Sequence, residues 1–253
     1  MTRRRWIADE VSGNRAILIG EHAGHLVRVL RARVGQEFDV ATPKGARRGR
    51  ISSLTPDRVE FELGEEISSR ASVGITLALA VFKFDCMEWA IEKCTELGVS
   101  RIVPLIARRT DSHLASASTK RVGRWQRIAR QASQQSRRDE PSQIANPVKL
   151  SEILNSEATL RIVLDETEQR AMLLDVLKND VLKNDAPPRE ANSSSAETDV
   201  ILAIGPEGGW TEDELQFFHQ AAWISASLGE TILRTETAAI AATAIVASAL
   251  RSS

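Results

Sequence analysis

The chain has 253 residues, 42% hydrophobic and 26% charged, a composition ordinary for a folded globular protein and long enough for two modest domains or one large one. No apolar run approaches the roughly 18 residues of a membrane span. The opening MTRRRWIADE has basic residues with no apolar stretch behind them, so neither a transmembrane segment nor a signal peptide is expected.

Cys86 and Cys94 are the only cysteines, and the four histidines are scattered, so neither a disulfide framework nor a metal site is expected and the default setting is the reducing cytoplasm. The net charge of −1 hides an uneven distribution. Residues 101–149 carry 11 Lys and Arg against 3 Asp and Glu, whereas residues 150–199 carry 5 against 11. A neutral protein with one basic sector can hold a phosphate backbone there. A solvated helix face accounts for the same charges equally well.

Residues 1–70 read as β. AILIG, EFDVA, GRISSLT and RVEFELG are short, partly alternating segments between turn residues. The amphipathic stretch HLVRVLRARVG lies between the first two, which predicts a small barrel carrying one short helix.

From residue 73 the rhythm changes. ITLALAVF (75–82) is a continuous apolar run, as in a strand buried on both faces. A helix follows over 87–98, with Gly98 placed for a left-handed cap. Then come RIVPLI, a basic helix around 119–136, LRIVL, VILAI, a helix from about 212, SASLG and a last helix from about 236 to 250. Strands alternating with helices predict an α/β domain with a mostly parallel sheet. Residues 175–199, with VLKND written twice and a Pro/Ser/Ala/Glu tail, read as a flexible insertion.

Two late stretches carry the chemistry. IGPEGGWTEDE (204–214) places Gly205, Pro206, Glu207, Gly208 and Gly209 between a buried strand and a helix with a Thr211–Glu214 capping box. Its glycines present bare backbone to whatever lies above the strand end. A tight connection alone would also explain them. Neither a P-loop nor a Gly-x-Gly-x-x-Gly fingerprint is present. SLGETILRTETAAIAA (227–242) repeats the logic: a short strand ends in Leu-Gly, an irregular segment follows, and a small-residue helix begins.

Together with MEWAIEKCTELGVSRIVPL (87–105) and RWQRIARQASQQSRRDEPSQI (124–144), these stretches resemble the RsmE family of ribosomal RNA small subunit methyltransferases over nearly the whole chain. The resemblance implies a PUA-like RNA-binding β-barrel at 1–70 and a SPOUT domain at 73–253 whose C-terminal part forms a deep trefoil knot. It implies transfer of a methyl group from S-adenosyl-L-methionine to N3 of a uridine, 1498 in the usual 16S numbering. The cofactor would sit among Leu164, Ala203, Ile204, the turn 205–209, Leu228, Gly229, Ile232, Leu233 and Thr235, with Glu166 on a third loop. The partners implied are 16S ribosomal RNA in the 30S subunit and a second copy of the chain.

Uracil N3 is a nucleophile only once its proton has left. Arg234 is the candidate for stabilising charge on the two carbonyl oxygens, with an RNA phosphate contact as the rival role. Glu236 or Glu207 is the candidate for the proton. Arg28, Arg31, Lys44, Arg47, Arg48, Arg50, Lys83, Arg108, Arg109, Arg137 and Arg138 are the candidates for RNA binding. The family usually carries basic residues where this chain has Cys86 and Thr231, and Glu in place of Gln134. Ribose 2′-O methylation and a non-catalytic assembly factor remain as alternatives.

Overall fold

The computed structural model describes residues 4–67, 74–181 and 200–251. The chain divides into two compact units, Met1–Ala71 with Arg130–Pro141, and Ser72–Ala129 with Ser142–Ser253. The first unit therefore takes in residues 130–141, which the sequence assigns to the second domain.

Unit one holds β1 (Arg5–Ile7), β2 (Glu10–Ser12), β3 (Arg15–Ile19), α1 (Glu21–Gly24) running into a π-helical turn His25–Val29, β4 (Glu37–Thr42), β5 (Gly45–Thr55) and β6 (Arg58–Ile67). The strands form one sheet in the order β1-β4-β5-β6-β3-β2. Its two ends, β1 and β2, are separated by only Ala8 and Asp9. Ala8 N–H donates to Ala41 O (3.0 Å) and Asp9 N–H to Ile17 O (2.8 Å), so one bent segment pairs with both sides of the curled sheet. The interior is filled by Trp6, Leu18, Leu26, Val40, Ile51, Val59 and Phe61. Neither β1 nor β2 shows an alternating pattern long enough to read in the sequence.

Unit two is a sheet in the order β10-β8-β7-β12-β11-β13, with β9 beside β8. Its strands are β7 (Ile75–Ala80), β8 (Arg101–Ile106), β9 (Gln143–Ile144), β10 (Val148–Lys149), β11 (Leu160–Leu164), β12 (Val200–Ile204) and β13 (Ile224–Ala226), and every pairing is parallel. The helices are α2 (Phe84–Leu97), α3 (Ser112–Gln135, whose residues from Arg130 on belong to unit one), α4 (Leu150–Ile153), α5 (Leu173–Val181), α6 (Glu212–Gln220) and α7 (Thr235–Arg251).

The apolar strands separate by parity. Ile75, Leu77, Leu79, Leu202 and Ile204 face a core shared with α2, α5 and α7. Ala78, Ala80 and Ala203 face the opposite core, where their small side chains accommodate Trp210, Phe218 and Trp223. Those three rings stack edge to face at 5.0 Å spacings. Two buried faces are the reason the strands read as unbroken apolar runs.

α2 ends at Gly98 in the left-handed conformation (φ 114°). Both cysteines lie on α2, and burial pushes the Cys94 thiol up to about 12. α3 begins several residues before the expected helix, because Asp111 Oδ1 accepts from His113 N–H (2.8 Å) and Leu114 N–H (3.2 Å).

The first residues of the expected flexible insertion are instead the helix α5, with Leu173, Val176 and Leu177 buried in the core that includes Ala239, Ala242 and Val246 of α7. The apolar spacing of LLDVL was masked by the duplicated pentad. Residues 182–199 of that expectation lie outside the described residues. Leu177→Ala is expected to destabilise unit two by about 2–5 kcal/mol, read from the urea midpoint. An unchanged midpoint would place Leu177 in a loop.

Candidate functional site

β12, β11 and β13 are neighbours in a parallel sheet, so their C-terminal ends open on the same side. The loops that leave them, together with the start of α7, enclose a cleft of about 800 Å³ including its open mouth. It lies wholly within unit two.

Of the residues expected to bind a cofactor, Leu164, Ile204, Gly205, Pro206, Gly209, Leu228, Gly229, Ile232, Leu233 and Thr235 line this cleft, as does Glu166. Three do not. Ala203 points to the other face of the sheet, into the core under α6. Glu207 and Gly208 are exposed on the turn and form no part of the lining. The sequence also left out Asp165, Thr167, Trp210, Leu215, Ala226, Ser227, Glu230, Thr231 and Ala238, which complete it. Asp165 and Thr167 follow β11 as the glycine turn follows β12, so the strand-end rule could have found them.

The glycine turn is fixed from several sides. Gly209 N–H donates to Pro206 O (2.8 Å), and Gly209 has a φ of 69°. A Cβ there would stand 2.8 Å from Glu166 Oε1, a carboxylate that can swing aside, so the left-handed φ is what calls for glycine. Trp210 lies against Gly205, and its indole N–H donates to Leu164 O (3.0 Å), joining the β12 and β11 loops.

The capping box of α6 is present: Glu214 N–H donates to Thr211 Oγ1 (3.3 Å), and Thr211 N–H to Glu214 Oε2 (2.9 Å). Glu214 is 2% exposed, and its other oxygen, Oε1, accepts from Arg108 N–H (2.8 Å). Arg109 Nη1 donates to Gly208 O (2.6 Å) and Trp210 O (3.2 Å).

The other two loops are built as locally. Asp165 Oδ1 accepts from Thr167 N–H (2.8 Å) and Oγ1–H (2.7 Å). Ser227 Oγ accepts from Gly229 N–H at 3.1 Å.

Among the described residues, the lining holds the carboxylates of Asp165, Glu166 and Glu230 but no Lys, Arg or His. A phosphate-bearing nucleotide would meet unfavourable charge there. A ligand carrying positive charge beside a flat apolar group would meet carboxylates, the backbone of the glycine turns, and the aliphatic walls of Leu164, Ile204, Leu228 and Leu233. The residues therefore fit a sulfonium nucleoside such as S-adenosylmethionine.

Arg234 and Glu236 flank Thr235 at the start of α7, outside the cleft lining. Arg234 is exposed, and its carbonyl accepts from Ala238 N–H (2.8 Å). Glu236 is 6% exposed. The Cys86 thiol is raised above its ordinary value, first by burial and then by the charges of Glu236, Asp85 and Glu207. The starts of α2 and α7 and the glycine turn thus share one neighbourhood.

The cations expected to bind RNA are divided between the units. In unit one, Lys44, Arg28, Arg31, Arg50 and Arg137 are exposed. Arg47 and Arg48 lie in strand β5, past the tight turn that joins it to β4. Arg47 holds Gly64 O (2.7 Å) and Asn14 Oδ1 (3.1 Å), and Arg48 pairs with Asp39 at 2.7 Å. Arg138 follows α3, its N–H donating to Ser133 O at 2.9 Å. In unit two, Lys83 is exposed at the start of α2, Arg108 pairs with Asp213 at 3.0 Å, and Arg109 braces the glycine turn.

An RNA methyltransferase domain model matches residues 69–247. The chain is 30% identical to the ribosomal RNA small subunit methyltransferase E of Mesomycoplasma hyopneumoniae, over 74% of this chain and 76% of that one. It is 29% identical to the enzyme of the same name from Rickettsia conorii, over 96% and 94%. A crystal structure of ribosomal RNA small subunit methyltransferase E from Neisseria gonorrhoeae bound to S-adenosyl methionine superposes with a TM-score of 0.77 at 28% identity, covering 96% of this chain and 95% of that one.

Gly209→Ala is expected to lower stability by about 1–2 kcal/mol, the strain of a left-handed side-chain residue. Urea unfolding of the variant checks it, and an unaltered midpoint would mean that the turn relaxes freely.

Proposed function

The chain belongs to the ribosomal RNA small subunit methyltransferase E family, and from that premise we propose that it transfers the methyl group of S-adenosylmethionine to N3 of uridine 1498 in 16S ribosomal RNA. That it is an S-adenosylmethionine-dependent ribosomal RNA methyltransferase follows from the family. The position and atom methylated are the finer reading. The observation that carries it is the cleft itself: three strand-end loops whose lining offers carboxylates, aliphatic walls and glycine backbone, with no basic side chain among the described residues.

When bound, the cofactor supplies an electrophilic methyl group. The chain's residues must hold the base in line, take up its N3 proton and stabilise the resulting charge. Leu164, Ile204, Leu228 and Leu233 would enclose the adenine, and Gly205, Gly209 and Gly229, with no side chains, would let the backbone approach it closely. Arg234 stands exposed next to the cleft residues Leu233 and Thr235, with no ion pair to it among the described residues, and we assign it to the uracil oxygens. Glu236, buried in the first turn of α7, is the candidate for the proton, with the exposed Glu207 as the other.

RNA binding falls to the curled sheet of unit one, read as PUA-like, with Lys44, Arg28, Arg31 and Arg50 as phosphate contacts, and to Lys83 of unit two. The 30S subunit in the cytoplasm is the proposed setting, and a homodimer the working form. After the edge strand β13 the chain returns so that α7 packs against α2, α5, β7 and β12. That return supports a reading in which the C-terminal segment is threaded as a trefoil knot.

Arg234→Ala is expected to leave cofactor affinity intact by calorimetry while lowering methyl transfer to 30S subunits by about 10²–10³-fold. Loss of cofactor binding would remove Arg234 from the chemistry. Mass spectrometry of 16S ribosomal RNA from a strain lacking the gene is expected to show one uridine without its base methyl. Loss of a mark that had blocked alkaline cleavage would indicate ribose methylation instead.

A further inference from the structure

We propose that Arg109 is a positioning residue for the cofactor turn, acting through the backbone of residues 208–210, and is not an RNA contact. The inference rests on the S-adenosylmethionine reading of the cleft. In the sheet, β7 lies between β8 and β12, so a side chain on the loop after β8 must pass over the end of β7 to reach the β12 turn. Arg109 makes that crossing. One of its guanidinium nitrogens, Nη1, donates to Gly208 O at 2.6 Å and Trp210 O at 3.2 Å, the carbonyls on either side of Gly209.

The base of the side chain is itself fixed. Ala107 and Thr110 close a turn around it, with Thr110 N–H donating to Ala107 O (3.1 Å) and Ala107 N–H to Thr110 Oγ1 (3.1 Å). The preceding Arg108 N–H is held by the buried Glu214. The turn is shaped to receive the arginine: a Cβ on Gly208 would stand 3.3 Å from Arg109 Cδ. Gly209 and Trp210 line the cleft, whereas Gly208 and Arg109 do not, so the guanidinium grips the turn from outside. A charge-assisted pair of bonds to the carbonyls that flank it holds the left-handed Gly209 in register, with Glu166 Oε1 beside it.

The test compares wild type, Arg109→Ala and Arg109→Lys in the full-length chain. Calorimetry with S-adenosylmethionine alone, without RNA, is expected to show Kd raised about tenfold in Arg109→Ala. Arg109→Lys, whose cation is one bond shorter, is expected to recover part of that loss. The KM for S-adenosylmethionine should rise in step, while the KM for 30S subunits and the salt dependence of RNA binding stay at wild-type values. Cofactor affinity within twofold of wild type in both variants, with weaker RNA binding and a shallower salt slope, would overturn the proposal and return Arg109 to the phosphate contacts. If Arg109→Ala does not fold, Arg109→Lys decides by the same readouts. Failure of wild type to bind S-adenosylmethionine would instead strike the reading of the cleft itself.

Discussion

Glu214 is a nearly fully buried carboxylate at the start of a nine-residue helix, and both its oxygens are in use. Oε2 accepts from the Thr211 backbone and so starts α6, which fixes where the glycine turn must end. Oε1 accepts from the Arg108 backbone and so fixes the loop after β8. A buried carboxylate is tolerable only with such partners. Through it the cap of one helix sets the relation between two loops that are distant in sequence. The cleft wall at 205–210, the position of Arg109 and the opening of α6 all depend on this arrangement.

The sequence showed the parallel sheet of unit two plainly, because its central strands β7 and β12 are covered on both faces and carry a single polar residue, Thr76, to blur the pattern. The α6 cap was legible from Thr211 and Glu214 alone, since a capping box is a local interaction. What the sequence could not show was the second bond of Glu214, made to a residue 106 positions earlier. Trp210 was missed for the same reason: its indole is satisfied by Leu164 O, across the sheet. Ala203 was expected in the site from the family resemblance, beside Ile204. Alternation along a strand sends neighbouring residues to opposite faces, and this one turns toward α6.

Charge was the least readable property. Counting residues located the basic sector, but a count does not separate a free cation from a paired one. In unit one, Arg5 pairs with Asp139, and Arg130 pairs with Asp9 at 2.6 Å. In unit two, Arg124 makes a two-pronged pair with Glu88 at 2.6 and 2.7 Å. Arg47 is consumed by backbone carbonyls. These guanidiniums serve the fold, and the field that reaches solvent is smaller than the composition suggests. In the cleft the reverse holds. Glu166 was named in advance, but Asp165 and Glu230 were not, and together with the absence of basic side chains among the described lining residues the three define which ligand the cleft suits.

The central claim is that the loops after β11, β12 and β13 enclose S-adenosylmethionine. The most direct measurement is a crystal structure of the chain with that molecule. The account predicts its adenine between Leu164, Ile204, Leu228 and Leu233, with the sulfonium facing the carboxylate-lined side and no movement of Glu214 from Thr211 and Arg108. Density for the molecule elsewhere, or a cleft left open while methyl transfer proceeds, would contradict it.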